Sequence, residues 1–345
     1  MRLTCRALRR TPIVLPLLLL LAGAACSAPQ TTIEPMSDQA DRIQSLYELV
    51  FWLAAVVFVG VLAMTLVFSL MFREREGAVA RQFHGNTRLE VLWTLIPVGI
   101  VLVIAVPTFQ TIFDTSGDAP EGALQVETVG HQWWWEFRYP ELDITTANEL
   151  HIPSDRATSF KLLSDDVIHS FWVPQLAGKV DLVPGHENTL WFTPNEPGMY
   201  LGQCAEFCGA SHANMRFRVF VHTPEEFEAW AENERADRVE PATDELARGE
   251  ELFLSNACIG CHTIQGTERA IGVVAPNLTH VGSRTTIAAG LIENTQQNLV
   301  KWISDPSAVK PGMSPANNPR FMPAFKDSLS PEDINSIAAY LQSLK

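Results

Sequence analysis

The stretch CAEFCGASHANM, residues 204–215, places two thiols, an imidazole and a thioether within twelve positions. Cys204 and Cys208 are followed by His212 and Met215, in the spacing Cys-x3-Cys-x3-His-x2-Met. Soft thiolates combined with an imidazole and a weak thioether donor suit copper in an electron-transfer site. A mononuclear blue-copper site uses one thiolate, whereas two thiolates four positions apart can bridge two copper ions. The stretch therefore predicts a binuclear copper site, with a structural zinc site as the alternative.

The surrounding region, from Ala123 to about Val221, consists of short alternating runs separated by turn residues. Eight runs have the length of a strand: LQVETVG, WWWEFRY, ELHIPS, TSFKLL, HSFWVP, NTLWFTP, GMYLGQC and FRVFVH. So many short strands predict a β-sandwich or a small Greek-key barrel. The loop 202–214 would join the last two strands and present the ligands from a rigid scaffold.

A copper site of this kind needs a second histidine. His169, at the start of a predicted strand, is the best candidate, and folding must bring it close to the thiols. His131, His151 and His186 compete for the same role.

Two apolar runs precede this region, and both are long enough to span a bilayer, which needs about 20 residues. The first, Leu46–Phe72, has no charge after Glu48, and the second is Leu89–Phe113. Arginine exceeds glutamate in the short loop between them, which carries Arg73, Arg75, Arg81 and Arg88 against Glu74 and Glu76. This excess places the loop in the cytoplasm and everything after Phe113 outside it.

The N-terminus has the three parts of a secretory signal, so residues 1–25 are predicted to be a signal peptide. Four arginines precede the apolar run Ile13–Leu21 and the small residues Ala22-Gly23-Ala24. Cys26 allows two interpretations, which are cleavage followed by lipidation of this cysteine or ordinary cleavage with a spare thiol.

The C-terminal region carries a second redox motif. Cys258-Ile259-Gly260-Cys261-His262 is the covalent attachment motif of a c-type haem, in which His262 binds the iron. DELARGEELFLSNAC predicts an amphipathic helix before the motif, and SPEDINSIAAYLQSLK predicts a terminal helix capped by Ser330. These features predict a small all-α cytochrome c domain.

Two methionines compete to be the sixth ligand of the haem iron. Met322 is favoured, because small cytochromes c usually place the ligand in a Met-Pro segment before the last helix, as in Phe321-Met322-Pro323. Met313 remains open, because PGMSPANNPR separates the Lys-Pro-Gly segment from Met322 more widely than usual. Pro276 resembles the proline whose carbonyl orients the proximal histidine.

Composition limits the remaining possibilities. The 345 residues carry a formal charge of −14, which argues against a nucleic-acid partner. Four of the six cysteines form two close pairs beside histidines, an arrangement that favours metal and haem chemistry over a disulfide framework.

The helical hairpin followed by GHQWWWEF, VIHSFWVP and CAEFCGASHANM resembles subunit II of haem–copper cytochrome c oxidases over about residues 46–222. The resemblance implies a cupredoxin-like Greek-key barrel that holds a binuclear CuA centre. It assigns the copper ligands as His169, Cys204, Cys208, His212, Met215 and the backbone carbonyl of Glu206.

The resemblance implies two further roles. The side chain of Glu206 would reach toward a magnesium ion at the interface with subunit I. Trp133 would be the residue through which electrons enter from a docked cytochrome c, whereas Trp134 and Trp135 are expected to pack.

The fusion of such a subunit with a cytochrome c domain resembles the caa(3)-type oxidases. The expected function is to pass electrons from a cytochrome c-type donor through haem c to CuA, and on to subunit I, which reduces oxygen with proton pumping. The alternative is a stand-alone membrane-anchored electron carrier.

The predicted divisions are the signal peptide 1–25, the hairpin segment 26–113, the CuA domain 114–223, an acidic helical linker 224–243 and the cytochrome c domain 244–345. The expected location is the bacterial cell membrane, with both soluble domains on the outer side.

Overall fold

The computed structural model of the protein describes residues 30–73, 77 and 84–345. The predicted signal peptide, Cys26, Arg75 and Arg81 lie outside the described residues.

Two long apolar helices form the N-terminal part of the molecule. They are α1 (Asp38–Met71) and α2 (Thr87–Ser116), and both are long and apolar enough to cross a membrane. Each begins before the predicted apolar run, at a residue whose side chain accepts hydrogen bonds from free amide groups of the first turn. The Ser37 side chain accepts from Ala40 N, and the Asn86 side chain accepts from Arg88 N and Leu89 N. At 1.5 Å per residue α1 extends for about 50 Å, so it projects beyond a hydrocarbon core of about 30 Å.

The middle of the chain, residues 123–222, folds into two packed five-stranded sheets and is called the β domain below. The strands are β1 (Leu124–His131), β2 (Trp134–Tyr139), β3 (Ile144–Ala147), β4 (Glu149–Pro153), β5 (Thr158–Ser164), β6 (His169–Trp172), β7 (Val180–Leu182), β8 (Asn188–Phe192), β9 (Gly198–Cys204) and β10 (Arg216–His222). One sheet has the order β3-β2-β1-β5-β8 and the other β4-β10-β9-β6-β7. All eight predicted strands form, which confirms the prediction of a β-sandwich or barrel, and β3 and β7 are additional.

Aromatic side chains fill the space between the two sheets. Trp135, Phe137, Phe160, Phe171 and Phe217 are almost fully buried, and the rings of Phe171 and Phe217 stack with centroids 4.8 Å apart. Large aromatic rings that meet in this way bury much apolar surface and fix the two sheets against each other. The packing role predicted for Trp135 is therefore confirmed.

Helix α3 (Pro224–Arg235) follows β10 and packs on the β domain. Thr223 and Glu226 form a capping box at its start. Phe227 and Ala231 are buried, and the ring of Trp230 stacks on His151 with centroids 4.5 Å apart. The segment predicted to be an acidic helical linker thus begins with a helix, as expected, and the apolar side chains of this helix extend the core of the β domain.

Residues 244–345 form a second unit, called the C-terminal domain below. Its elements are α4 (Asp244–Ser255), α5 (Gln296–Ser304), α6 (Pro306–Val309), α7 (Pro331–Ser343) and the two-residue strands β11 (Thr286–Ile287) and β12 (Ile292–Glu293). Helices α4 and α7 cross at Gly249, where a Cβ atom would lie 2.2 Å from Ser336 O. The Ser330 hydroxyl accepts from Asp333 N at the start of α7, as predicted.

The two domains are joined by buried polar contacts. The carboxylate of Glu149, at the start of β4, accepts from Thr285 N at 2.9 Å and from Thr286 N at 3.0 Å. Glu149 is itself buried, so these bonds replace its hydration. At the rim, Arg320 pairs with Asp165 at 2.6 Å. The C-terminal domain therefore lies against the end of the β domain that carries the two cysteines.

Candidate copper and haem sites

The two thiols of the first motif lie side by side. Cys204 ends β9 and Cys208 lies in the loop that follows, with their sulfur atoms 3.8 Å apart. A disulfide would require about 2.05 Å, so both thiols are free to bind a metal. Both side chains are buried, and together with His169 they form a cluster whose ligand atoms lie within 4.8 Å of one another.

Three further donors surround the sulfur atoms. His212 Nδ1 lies 3.6 Å from Cys208 Sγ, and Met215 Sδ lies 3.8 Å from the same sulfur. The backbone oxygen of Glu206 lies 3.2 Å from Cys204 Sγ. The structure thus brings together all six donors that the resemblance assigned to CuA. Two thiols flanked by two imidazoles, a thioether and a carbonyl suit a pair of copper ions.

The ring of His169 is held by a carboxylate. Its Nε2 donates to Asp166 Oδ1 at 2.7 Å, which leaves Nδ1 facing Cys204 Sγ at 4.0 Å. Asp166 also accepts from Gln132 N and Val167 N, both at 2.6 Å, so its own position is fixed. A histidine ligand commonly donates its second N–H to a carboxylate in this way, because that bond sets the tautomer and the ring orientation.

The other candidate histidines lie elsewhere. His131 pairs with Glu136 at 3.2 Å, His151 forms a hydrogen bond with His222 at 2.8 Å, and His186 is exposed. Among the candidates, His169 is the histidine that lies beside the thiols.

The environment of the two thiols favours the loss of one proton. The hydrogen bond from Cys208 lowers the pKa of the Cys204 thiol, and the bonds from His169 and from Ser170 N act in the same direction. The shared proton correspondingly raises the pKa of Cys208. Since a metal binds the thiolate, the lowered pKa of Cys204 favours the form of this sulfur that binds a metal.

The side chain of Glu206 has a different environment from its carbonyl. It is about half exposed (44%), and its carboxylate lies 3.7 Å from Lys179 Nζ. It therefore points away from the sulfur atoms, and its predicted magnesium role remains a prediction.

The second motif lines a cavity of about 420 Å³. Cys258 and Cys261 present their thiols to it, and His262 and Met322 also line it. His262 Nδ1 donates to Pro276 O at 2.7 Å, which leaves Nε2 available to iron. Burial lowers the pKa of His262, which favours the neutral ring that binds a metal. The rest of the lining is largely apolar, with Leu278, Val281, Leu299, Ile303, Phe325, Ile337 and Leu341 among its side chains. The size, the thiols and this apolar lining fit a covalently attached haem.

The two candidate methionines differ in their packing. Met322 packs against the core of the C-terminal domain, whereas Met313 packs against the core of the β domain. Both line the cavity, so proximity alone does not separate them. The difference in packing favours Met322 as the ligand.

Trp133 lies between the two sites. Its indole Nε1 donates to Cys208 O at 2.9 Å, and its ring contacts Phe321 with centroids 5.1 Å apart. The side chain is only 4% exposed, because the C-terminal domain covers it. Phe321 immediately precedes Met322, so a short series of contacts joins the predicted haem ligand to the cysteine pair.

Lys310 is a buried residue between the two sites that no sequence motif assigned to a role. The lysine is buried, and its Nζ donates to Trp133 O and, at 3.2 Å, to Ala288 O. Burial lowers the pKa of Lys310 to about 7. One sequence signal could have drawn attention to it: Lys310 begins the Lys-Pro-Gly segment, which lies farther from Met322 than is usual in small cytochromes c.

A membrane hairpin, a β domain with a soft-donor cluster and a cytochrome-like domain together define an electron-transfer subunit of an oxidoreductase. Three family models match the chain: "Cytochrome C oxidase subunit II, transmembrane domain" over residues 30–111, "Cytochrome C oxidase subunit II, periplasmic domain" over 142–221, and "Cytochrome c" over 246–345.

Curated relatives match along almost the whole chain. Cytochrome c oxidase subunit 2 of Alkalihalophilus pseudofirmus is 37% identical over 336 residues, which cover 95% of each chain. The protein of the same name from Bacillus sp. PS3 is 34% identical over 95% of this chain and 94% of its own. Among solved structures, the periplasmic domain of subunit II of cytochrome oxidase of Bradyrhizobium japonicum is 30% identical, and the match covers 34% of this chain and 96% of that chain with a TM-score of 0.33.

The chain belongs to the cytochrome c oxidase subunit II family and carries a C-terminal cytochrome c domain. The predicted fold classes are confirmed: two apolar helices, a cupredoxin-like β domain and a helical cytochrome c domain. It is a membrane protein with its soluble domains outside, and it is one part of an oxidoreductase that also contains subunit I and other subunits.

Proposed function

We propose that this subunit carries electrons from a cytochrome c-type donor through its own haem c to a binuclear CuA centre. From there they pass to subunit I, where oxygen is reduced to water and protons are pumped. The observation that carries the proposal is the shared wall between the two sites. The cavity beside Cys258 and Cys261 is closed on one side by Gln132, Trp133 and Trp134 of the β domain.

The residues of the C-terminal domain would bind and orient the haem. Cys258 and Cys261 would attach it covalently, and His262 and Met322 would be the ligands of its iron. The bond from His262 Nδ1 to Pro276 O keeps the ring in one orientation and raises its basicity.

The residues of the β domain would hold two copper ions. The donors would be Cys204, Cys208, His169, His212, Met215 and the Glu206 carbonyl. When bound, haem c and CuA each supply one-electron exchange. The burial of both sulfur atoms keeps water away from the metal pair and holds the ligands in one geometry during that exchange.

Trp133 is the residue through which electrons would enter the copper site, and here its partner is the fused domain. Phe321 lies on one side of its ring, and the Cys208 carbonyl accepts its N–H. An external donor would therefore reduce the haem and not Trp133 directly.

The remaining assignments belong to the same proposal. The Glu206 side chain would reach a magnesium ion at the interface with subunit I. The subunit would lie in a bacterial cell membrane and be divided into a signal peptide (1–25), a hairpin segment (26–113), the CuA domain (114–223), a linker (224–243) and the cytochrome c domain (244–345).

The test is optical and EPR spectroscopy of the purified chain combined with metal analysis. We expect a c-type haem with a methionine ligand and the signal of a mixed-valence copper pair. Rapid reduction of the haem should be followed by reduction of the copper pair within the same molecule. Zinc in place of copper, or a reduced haem that never reduces the copper, would refute the proposal.

A further inference from the structure

Residues 310–321 comprise the Lys-Pro-Gly segment and the residues that separate it from Met322, and they are called the docking segment below. Several of them contact the β domain directly. Pro311 O accepts from the Ser211 hydroxyl, Met313 packs against the core of the β domain, and Phe321 is buried against Trp133. The segment that disturbs the usual cytochrome c spacing thus also joins the two domains.

Gly312 shows how close this approach is. Its φ is +85°, and a Cβ atom at this position would lie 2.9 Å from Ala210 Cβ and 3.0 Å from Trp133 Cη2. Both the backbone conformation and the space require glycine. The docking segment therefore lies against the indole ring without an intervening side chain.

Lys310 begins the segment and joins the two domains through main-chain atoms. One of its acceptors, Trp133 O, belongs to the β domain, and the other, Ala288 O, belongs to the C-terminal domain. Within the part of the chain that the structure describes, Lys310 forms no ion pair. Burying a lysine without a carboxylate partner costs folding free energy, and its lowered pKa reflects this cost. Lys310 is therefore not expected to stabilise the fold through its charge. Its two hydrogen bonds instead fix one particular arrangement of the domains.

We propose that Lys310 is a positioning residue for electron transfer: it anchors the docking segment on Trp133 and so holds the cytochrome c domain at a fixed place beside Cys208. The proposal rests on the electron relay proposed above. It adds that the relay depends on a residue that is not among the proposed ligands of either metal, and that the docking segment serves to dock one domain on the other.

The experiment compares Lys310→Met with the wild-type full chain, loaded with haem and copper. Methionine matches the length of the stem but donates no hydrogen bond, so Trp133 O and Ala288 O lose their donor. We expect faster hydrogen exchange at residues 209–214 and 285–290. The rate of electron transfer from haem to copper should fall at least about tenfold, since small displacements of reacting groups can cost that much or more. The absorption spectra of both centres should stay unchanged.

Lys326→Met is the matched control, because Lys326 is an exposed lysine of the same domain that pairs with Asp305 at 2.6 Å. It should leave both exchange and rate unchanged. Ser211→Ala is a second variant, which removes the donor to Pro311 O without changing any charge, and it should act in the same direction as Lys310→Met.

A Lys310→Met protein with a wild-type transfer rate would overturn the proposal, whether or not its exchange changed. A slower rate with unchanged exchange would also overturn it, because the effect would then not arise from docking. Neither result would contradict the proposed electron relay. If the wild-type haem fails to reduce the copper at all, the proposed function fails instead.

Discussion

Phe321 and Met322 are adjacent in the chain, yet their side chains pack in different domains. Phe321 is buried in the core of the β domain, where its ring contacts Trp133, whereas Met322 packs against the core of the C-terminal domain. A single peptide bond thus connects Met322, the predicted haem ligand, to Phe321, which packs beside the copper site. The predicted haem ligand is therefore bonded directly to a residue of the domain interface.

The assignment of the sixth haem ligand can be tested by replacing each methionine. Met322→Leu should abolish the absorption band that arises from the sulfur–iron bond and lower the haem potential, because the thioether is lost. Met313→Leu is the control and should keep the band, since Met313 packs on the β domain. Optical spectra of the oxidised full-length variants decide the question. Loss of the band in the Met313 variant alone would reverse the assignment.

Asp166 should affect copper binding although it is not a ligand. Asp166→Asn retains the shape of the side chain but removes the charge that orients His169, whose Nε2 donates to it at 2.7 Å. Loss of such a partner typically weakens metal binding by about 10- to 100-fold. A titration against a copper chelator, followed through the copper absorption, measures the change. Asp143→Asn is the control, because Asp143 is exposed in a turn with φ +54°, which asparagine also adopts. Equal copper affinity in both variants would contradict the predicted role.

The histidine pair beside α3 should make the β domain sensitive to acid. Burial lowers the pKa of both His151 and His222 in the folded state. As the pH falls, the histidines of the unfolded chain are therefore protonated first, while the two buried rings are still neutral. Because the unfolded state binds more protons below about pH 6.5, the free energy of unfolding should decrease as the pH falls below that value. Thermal unfolding of the full chain, measured across this pH range, provides the slope.

His222→Gln should make this pH dependence shallower, because it removes one of the two groups and keeps an amide beside His151 Nδ1. His186→Gln is the matched control, since His186 is exposed, and its slope should equal that of the wild-type protein. If the His222 variant also had the wild-type slope, another group would be responsible for the sensitivity to acid.

Gly249→Ala should destabilise the cytochrome c domain. The added Cβ would lie 2.2 Å from Ser336 O and 2.8 Å from Tyr340 Cβ, so helices α4 and α7 would have to move apart. Overpacking costs about 1–3 kcal/mol and exceeds the 0.5–1 kcal/mol that alanine gains in a helix, so we expect a net loss of about 1–2 kcal/mol. Denaturant unfolding, followed through haem absorption, measures the loss. Gly198→Ala is the control, because its Cβ would have contacts of 3.5 Å or more. A stable Gly249 variant would show that the helices can separate at no cost.

The sequence predicted the strands well where hydrophobic alternation and turn residues coincide. It missed β3 (Ile144–Ala147) and β7 (Val180–Leu182), because runs of three or four residues are too short to show a period. The capped helices α4 and α7 were predicted from local signals, namely amphipathic spacing and the cap at Ser330. Helix α3 was predicted as part of a linker because its acidic residues outnumber Phe227 and Ala231, the two side chains that it buries.

The candidate sites show the same limit. Cys204, Cys208, His212 and Met215 lie close together in the sequence, so spacing alone identified them. His169 needed the family resemblance, because only folding brings it near Cys204. Lys310 and Phe321 act between domains, and contacts of that kind leave no periodic pattern in the chain.

The burial of Trp133 beneath the docking segment has a kinetic consequence. A diffusing protein cannot reach an indole that is 4% exposed, so in the proposed relay the arrival of electrons at Trp133 would not depend on the frequency of collisions. In an encounter between two separate proteins, the rate rises with concentration and falls as salt screens their charges. If the donor domain is fixed in place as proposed, this step should be first order and independent of ionic strength. Any sensitivity of turnover to salt then belongs to the preceding step, the meeting of the cytochrome c domain with its external donor.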